Sequence, residues 1–228
     1  MELFTLFAEL MENQGIITRE GSIVDASFVD VPRQRNTRRE NKMIKEGKTP
    51  EEWQAENKKN MLEQKDVDAR WAKKNDETHY GYKNHVKVDK ASKMVVCFTA
   101  SAASAHESQY FYELLDEQDQ CLWGDSAYIG EDLHEIIRHD YPHMQLHINE
   151  KGYVNRPLSE EQKTNNHAKS RIRARVEHVF GHMTNSMGGL FIRCIGINRA
   201  IREIAMKNLA YNLQRFVYLQ KQPLNSKG

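Results

Sequence analysis

The chain has 228 residues, 39% of them hydrophobic and 29% charged, enough for one sizeable core with a helical appendage. A formal net charge of +1 excludes an overall basic footprint, so any nucleic-acid contact has to come from local patches. Cys97, Cys121 and Cys194 lie far apart in apolar contexts, which excludes a disulfide framework or a cysteine-type zinc site and predicts reduced, buried thiols in a cytoplasmic protein. No apolar run approaches the roughly eighteen residues of a membrane span.

The N-terminal MELFTLFAELMENQ carries acids and no basic region. Leu3, Phe4, Phe7, Leu10 and Met11 recur at helical spacing, which predicts an amphipathic helix within residues 1–20 rather than a signal peptide. GSIVDASFVDVP (21–32) reads as a strand, bounded by Gly21 and Pro32. Residues 32–76 hold 13 Lys/Arg against 9 Asp/Glu and contain Thr49-Pro50-Glu51-Glu52, a capping box with proline at the first helical position. Trp53, Met61, Leu62, Val67 and Trp71 make only a sparse apolar stripe there, which predicts a loosely attached, helical, basic insertion. Trp53 and Trp71 read as anchors of its small core. Its arm 33–48 is either a DNA-backbone contact or a solvated loop.

HYGYKNHVKVD followed by MVVCFTA predicts a hairpin of two strands. Lys83, His85 and Lys87 alternate along its first strand, lining either the functional site or a solvated face. HESQYFYELLDEQ (106–118) reads as a helix, CLWGD as a buried strand, EDLHEIIRHD (131–140) as a helix and MQLHINE (144–150) as a strand. The order predicts an α/β fold, a mixed five-stranded sheet flanked by helices. In SRIRARVEHVFGHMTN the residues Ile172, Val176, Val179, Phe180 and Met183 form an apolar stripe, with Glu177 at its margin. Arg171, Arg175, His178 and His182 share another face. A last helix from Asn198 to Leu219, capped by Asn198, is explained by core packing.

Three carboxylates carry chemistry. Asp25 lies within a buried strand, where a charge is costly unless paired, hydrogen-bonded or bound to metal. Asp125 ends CLWGD at a strand-to-helix turn, where it serves as a cap, bonds its own backbone, or reaches a metal. Together with Glu177 they would form an oxygen-rich cluster suited to two Mg²⁺ or Mn²⁺ ions and to phosphoryl transfer. His178 and His182 have an i, i+4 spacing that zinc enzymes use, but HExxH order and further ligands are lacking, which favours an exposed or DNA-facing role.

IVDAS, YGYKNHVKVD, GDSAY, RVEHVFGHMTNSMGG and LAYNLQRFVYL, in that order, resemble the catalytic domain of IS5-group insertion-sequence transposases within the IS4/IS5-type DDE superfamily. The resemblance covers nearly all of residues 15–220, and the acids are separated by 100 and 52 residues. It implies an RNase H-like fold over 21–220 with the insertion 32–76, followed by a tail, 221–228. It implies a triad of Asp25, Asp125 and Glu177, and metal-assisted cleavage of element ends followed by strand transfer. The implied partners are double-stranded DNA, as terminal inverted repeats and target, and a second copy of the chain on that DNA. It gives Tyr128 and Arg175 roles in positioning the scissile phosphate; from the helix face and the strand alternation read above, Arg171, Lys83 and His85 join them as candidate DNA-facing residues. Two features depart from the family pattern. Only 24 residues precede Asp25, which implies an N-terminally truncated copy or half of a split gene, either active or a DNA-binding or dimerising remnant. Thr184 stands where relatives carry Lys or Arg, leaving that phosphate contact missing or supplied by Arg193.

Overall fold

The computed structural model describes residues 1–31, 35–48, 53, 59–128, 131–153 and 155–221, without the side chains of residues 59, 61, 62 and 131–133. The elements in chain order are α1 (Glu2–Asn13), β1 (Ser22–Asp30), α2 (Arg38–Lys45), α3 (Lys59–Gln64), β2 (Arg70–Lys74), β3 (Glu77–Asp89) and β4 (Val95–Ala102). They continue as α4 (Ser108–Phe111) with a 3₁₀ turn over Tyr112–Leu114, β5 (Cys121–Gly124), α5 (Glu131–Asp140), β6 (Gln145–Ile148), α6 (Glu160–Asn185) and α7 (Ile197–Lys221). The proposed capping box at 49–52 and the tail beyond 221 lie outside the described residues.

One mixed sheet of six strands runs β2-β3-β1-β5-β6, with β4 also paired to β3. The long β3 makes this possible. Its first residues pair antiparallel with β2, its later ones with β4 on the same edge, and β1 fills the other edge. β1, β5 and β6 are parallel to one another. Alternation along β1 separates two cores. Ile23 and Val29 pack with Val176, Val179 and Met183 of α6 and Ile204 of α7, whereas Val24 packs with Phe111, Leu122 and Ile137 on the opposite face. Asp25 alternates with Ile23 and Val29, so it shares the α6 face. The arrangement is compatible with an RNase H-like fold.

Several expectations are corrected. The sheet has six strands rather than five because Arg70–Lys74, inside the segment read as a helical insertion, folds back on β3. The two-residue turn Asn75-Asp76 allows it, with φ of 50° and 65°, the left-handed pair that matches strand twist. The described part of this segment is also not loosely attached. Trp53 is buried and donates to Glu40, Trp71 donates to the Asn36 carbonyl at 2.6 Å, and Asn36 donates to the Asp66 carbonyl at 2.6 Å. Asp66 and Asp68 then accept the Gly196 and Ile197 amides, so they, and not Asn198, cap α7. Third, the helix expected over 106–118 is only α4 and its 3₁₀ turn, ending at Leu114. The cysteines are free, as expected, but only partly buried.

The Tyr80-Gly81-Tyr82 run has a plain steric cause. Gly81 pairs with Asp30 at φ +150°, and a Cβ there would stand 2.3 Å from the Val29 carbonyl oxygen. Only glycine permits β1 to approach so closely. The flanking Tyr80 and Tyr82 fill the core, and the Tyr82 hydroxyl donates to Asp66 at 2.7 Å.

Candidate active site

β1 and β5 bring two carboxylates side by side. The parallel register pairs Ile23 with Trp123, so two residues further along it Asp25 meets Asp125, just past the end of β5. Asp25 is nearly enclosed and Asp125 is half exposed, with side-chain exposures of 16% and 41%. Asp25 Oδ1 accepts its neighbour Ala26 N–H at 2.8 Å, and Asp125 Oδ1 accepts Ser126 N–H at 2.7 Å. The local backbone bond expected of Asp125 is therefore present, and it leaves the carboxylate free to serve a second purpose.

Arg173 of α6 joins them. Its Nη2 lies 3.6 Å from Asp25 Oδ2 and its Nη1 3.6 Å from Asp125 Oδ1. Burial raises the Asp25 carboxyl above its usual range, opposed by the Ala26 amide and then by the Arg173 guanidinium; Glu107 raises it further and Lys74 lowers it. A cation between the two aspartates is thus an electrostatic requirement of the ionised pair, and Arg173 meets it.

Glu177 follows Arg173 by four residues, on the same flank of α6 one turn along, but it is exposed. Among the described residues no three His, Cys, Asp or Glu side chains gather closely enough to hold a metal ion. Two of the three expected acids therefore meet and the third stands outside. The two that meet fit a hard divalent cation: both offer carboxylate oxygens, both already face a positive group, and the enclosed Asp25 is the one whose charge most needs it.

The other expected site residues sit elsewhere. Arg175 is two residues from Arg173, roughly 200° around the helix, and donates instead to the Lys90 carbonyl at 2.7 Å. Arg171 is exposed on that same far flank. Tyr128 is fully buried in the second core, its ring 5.4 Å from Phe111; its hydroxyl has no partner among the described residues, and burial and then the nearby charges of Asp25, Glu107 and Asp125 raise its pKa, opposed by Arg173, so the hydroxyl lies beside the acid pair. Lys83 and His85 alternate onto the face of the sheet opposite Asp25. Lys83 donates to the Ala105 carbonyl and Glu107, and His85 bonds Ser101 at 2.8 Å and stacks on Tyr110. Both are buried, so the solvated reading of that string does not hold; Lys87 is likewise buried, against Asp119.

Beyond Asp25 on the same strand a groove of about 520 Å³ opens, lined among others by Ser27, Phe28, Asp30, Lys74, His79 and Thr184. Arg193 is exposed and stacked 5.7 Å over Phe191, whose backbone bridges to Asp30 of the groove wall. Lys74, carried in by the unexpected β2, and Arg173 are the cations that sequence reasoning missed. For Arg173 a signal existed: it stands i, i+4 to Glu177 beside the apolar stripe, whereas Arg175 does not.

The family described as Transposase DDE domain matches residues 17–213. The chain belongs to that family. The match spans α1's following loop through most of α7 and includes both aspartates, Arg173 and Glu177, so the DDE domain is formed by the sheet and by α6 and α7 together. No solved structure matches the chain. No described helix of the DDE domain is long and apolar enough to cross a membrane.

Proposed function

We propose that the chain is an IS5-group DDE transposase that cleaves DNA at the terminal inverted repeats of an insertion sequence and joins the freed 3′ ends to target DNA. The observation that carries this reading is the convergence of Asp25 and Asp125, from neighbouring parallel strands, on the single guanidinium of Arg173. Asp25, Asp125 and Glu177 would hold two Mg²⁺ or Mn²⁺ ions, Glu177 by swinging in from its exposed position. Bound there, such ions lower the pKa of water or a sugar hydroxyl and stabilise the departing oxygen.

The chain's own residues supply the rest. Arg173 neutralises the acid pair before DNA arrives and is placed to take a phosphate oxygen bidentately once metal replaces it there. Lys74 stands above the groove beside Asp25, where a backbone strand would pass, and Arg193, stacked on Phe191, supplies the cation that Thr184 does not. Exposed Arg38, Arg39, Lys42 and Lys45 of α2 extend a sequence-independent contact to flanking duplex. Two copies would act on the paired ends of the element.

The test is nicking and strand transfer on a plasmid carrying candidate terminal repeats, with Mg²⁺ or Mn²⁺. The reading expects divalent-dependent nicking and joined products with the wild-type chain and neither with Asp125→Asn. DNA binding without cleavage by the wild type identifies a catalytically inactive remnant. Cleavage without joining identifies a nuclease acting on another nucleic acid.

A further inference from the structure

The far flank of α6 has no part in the acid pair, yet it is the more cationic of the two. Arg171, Arg175, His178 and His182 follow one another along it, and a cavity of about 300 Å³ opens between this flank, α7 and the turn joining β3 to β4. Its walls include Lys93 from the turn, His178 and His182 from α6, and Arg215 and Tyr218 from α7; among the described residues no carboxylate or thiol lines it. Lys93 is held below its usual value by burial and by the charges of Arg215 and Arg175, so the three cations are close enough to repel one another. Among the described residues none of the three has an ion-pair partner.

The cations are also fixed in place. Arg175 donates to the Lys90 carbonyl at 2.7 Å, Arg215 Nε to the Ser92 carbonyl at 2.7 Å, and the Tyr211 hydroxyl to the Lys93 carbonyl at 2.8 Å. Two carbonyls of one turn thus hold two guanidinium groups, Arg215 in the cavity wall and Arg175 beside it, with their other N–H donors left over, and a third carbonyl anchors the turn to Tyr211. Arg215 further stacks on the Tyr218 ring at 4.8 Å. Anchored, unneutralised guanidinium groups beside an aromatic ring form a site that an anion would stabilise; the neighbouring positive charges disfavour zinc at the His178–His182 pair, and His182 Nε2 is already bonded to Gln214 Oε1 at 2.7 Å. The row from Arg171 to His182 runs about 16 Å at 1.5 Å per residue, longer than one small anion and comparable to several phosphates of one strand at about 3.4 Å each along the duplex axis.

We propose that this flank and its cavity form a second phosphate-binding site, separate from the acid pair, that grips the backbone of duplex DNA. It holds DNA away from the scissile bond and needs no divalent ion. The inference rests on the reading of the chain as a DNA-acting protein, but not on cleavage: it is read in EDTA, whereas the catalytic reading stands or falls on nicking by the wild type against Asp125→Asn.

The experiment is fluorescence anisotropy of a labelled duplex of arbitrary sequence titrated with the full chain in EDTA over a series of salt concentrations. The double variant Arg175→Gln/Arg215→Gln is expected to weaken binding about tenfold and to reduce the slope of log K against log salt by about 2, one per lost phosphate contact. Because that variant also removes two anchors of the turn, His178→Glu is measured beside it. It places a carboxylate at an exposed position of the cavity wall and is expected to weaken binding severalfold, while circular dichroism and the melting temperature stay those of the wild type. Wild-type affinity and salt slope in His178→Glu, or a wild-type chain that does not bind duplex in EDTA, would overturn the proposal.

Discussion

β3 and α6 carry look-alike strings of cations. On β3 they are Lys83, His85 and Lys87; on α6 they are Arg171, Arg173 and Arg175. Both strings interrupt apolar segments, and both look like candidates for a DNA-facing surface. The structure treats them in opposite ways. The β3 string is buried and neutralised internally: Lys83 by Glu107, His85 by staying uncharged against Ser101, and Lys87 by Asp119 at 2.8 Å with both side chains at 2% exposure or less. On α6 the helical turn divides the string, sending Arg173 to the two aspartates and leaving Arg171 and Arg175 on an exposed flank without acids. A cationic residue is a functional candidate only where the topology fails to supply its counter-charge, or supplies one that belongs to the chemistry.

That contrast can be broken in four places. The largest effect is expected at Lys87→Met. It strands the fully buried Asp119, which also accepts the Ser22 hydroxyl, and should cost about 3–5 kcal/mol in urea unfolding. Duplex affinity of the folded variant should not change; a change would return β3 to the DNA surface.

Arg173→Ala should leave the fold intact, since its guanidinium supports only the acid pair. It should lower the nicking rate about 10²–10³-fold, the usual loss when one fixed donor is removed from a reacting anion. An equal loss from Arg175→Ala would contradict the division of the helix into two flanks.

His85 makes a pH prediction. Burial, and then the charge of Lys83, push its imidazole down from 6.5 to about 3, so the folded chain keeps it neutral. Its contribution is complete above pH 6.5 and is lost as pH falls from there toward 3, because the unfolded chain takes up a proton that the folded chain refuses. His85→Gln should flatten the fall of stability over that window by up to about 1.4 kcal/mol per pH unit. Identical acid slopes for the two chains would mean that the ring is charged in the fold.

The smallest effect is expected at Arg171→Gln. Stability should stay within about 0.5 kcal/mol. Duplex affinity should fall only a few-fold, with the salt slope reduced by about 1.

Much of this was legible in the residues. Ile23, Val24 and Val29, the Val86–Val88 run, and the Val176, Val179, Met183 stripe announce β1, β3 and α6 through period alone, and an aspartate inside such a strand signals a site. What was not legible depends on phase and partner. RWAKK is too charged to read as a strand until β3 offers it an edge and Asn75-Asp76 turn it back. Tyr128 and Lys83 look exposed by type, and the second core hides the first while the Ala105 carbonyl and Glu107 hold the second inside. The choice between Arg173 and Arg175 needed the apolar stripe of α6 to be laid on the sheet, which fixes the flank that meets Asp125. Glu177 stands out by its place beside that stripe, one turn along α6 from Arg173, and its side chain is exposed.

The most direct measurement of the central claim is the anomalous scattering of a crystal of the chain grown with Mn²⁺. The account predicts a peak between the carboxylates of Asp25 and Asp125, with Arg173 moved aside and Glu177 drawn in. Peaks only at other sites, with Arg173 still seated between the aspartates at saturating Mn²⁺, would contradict it.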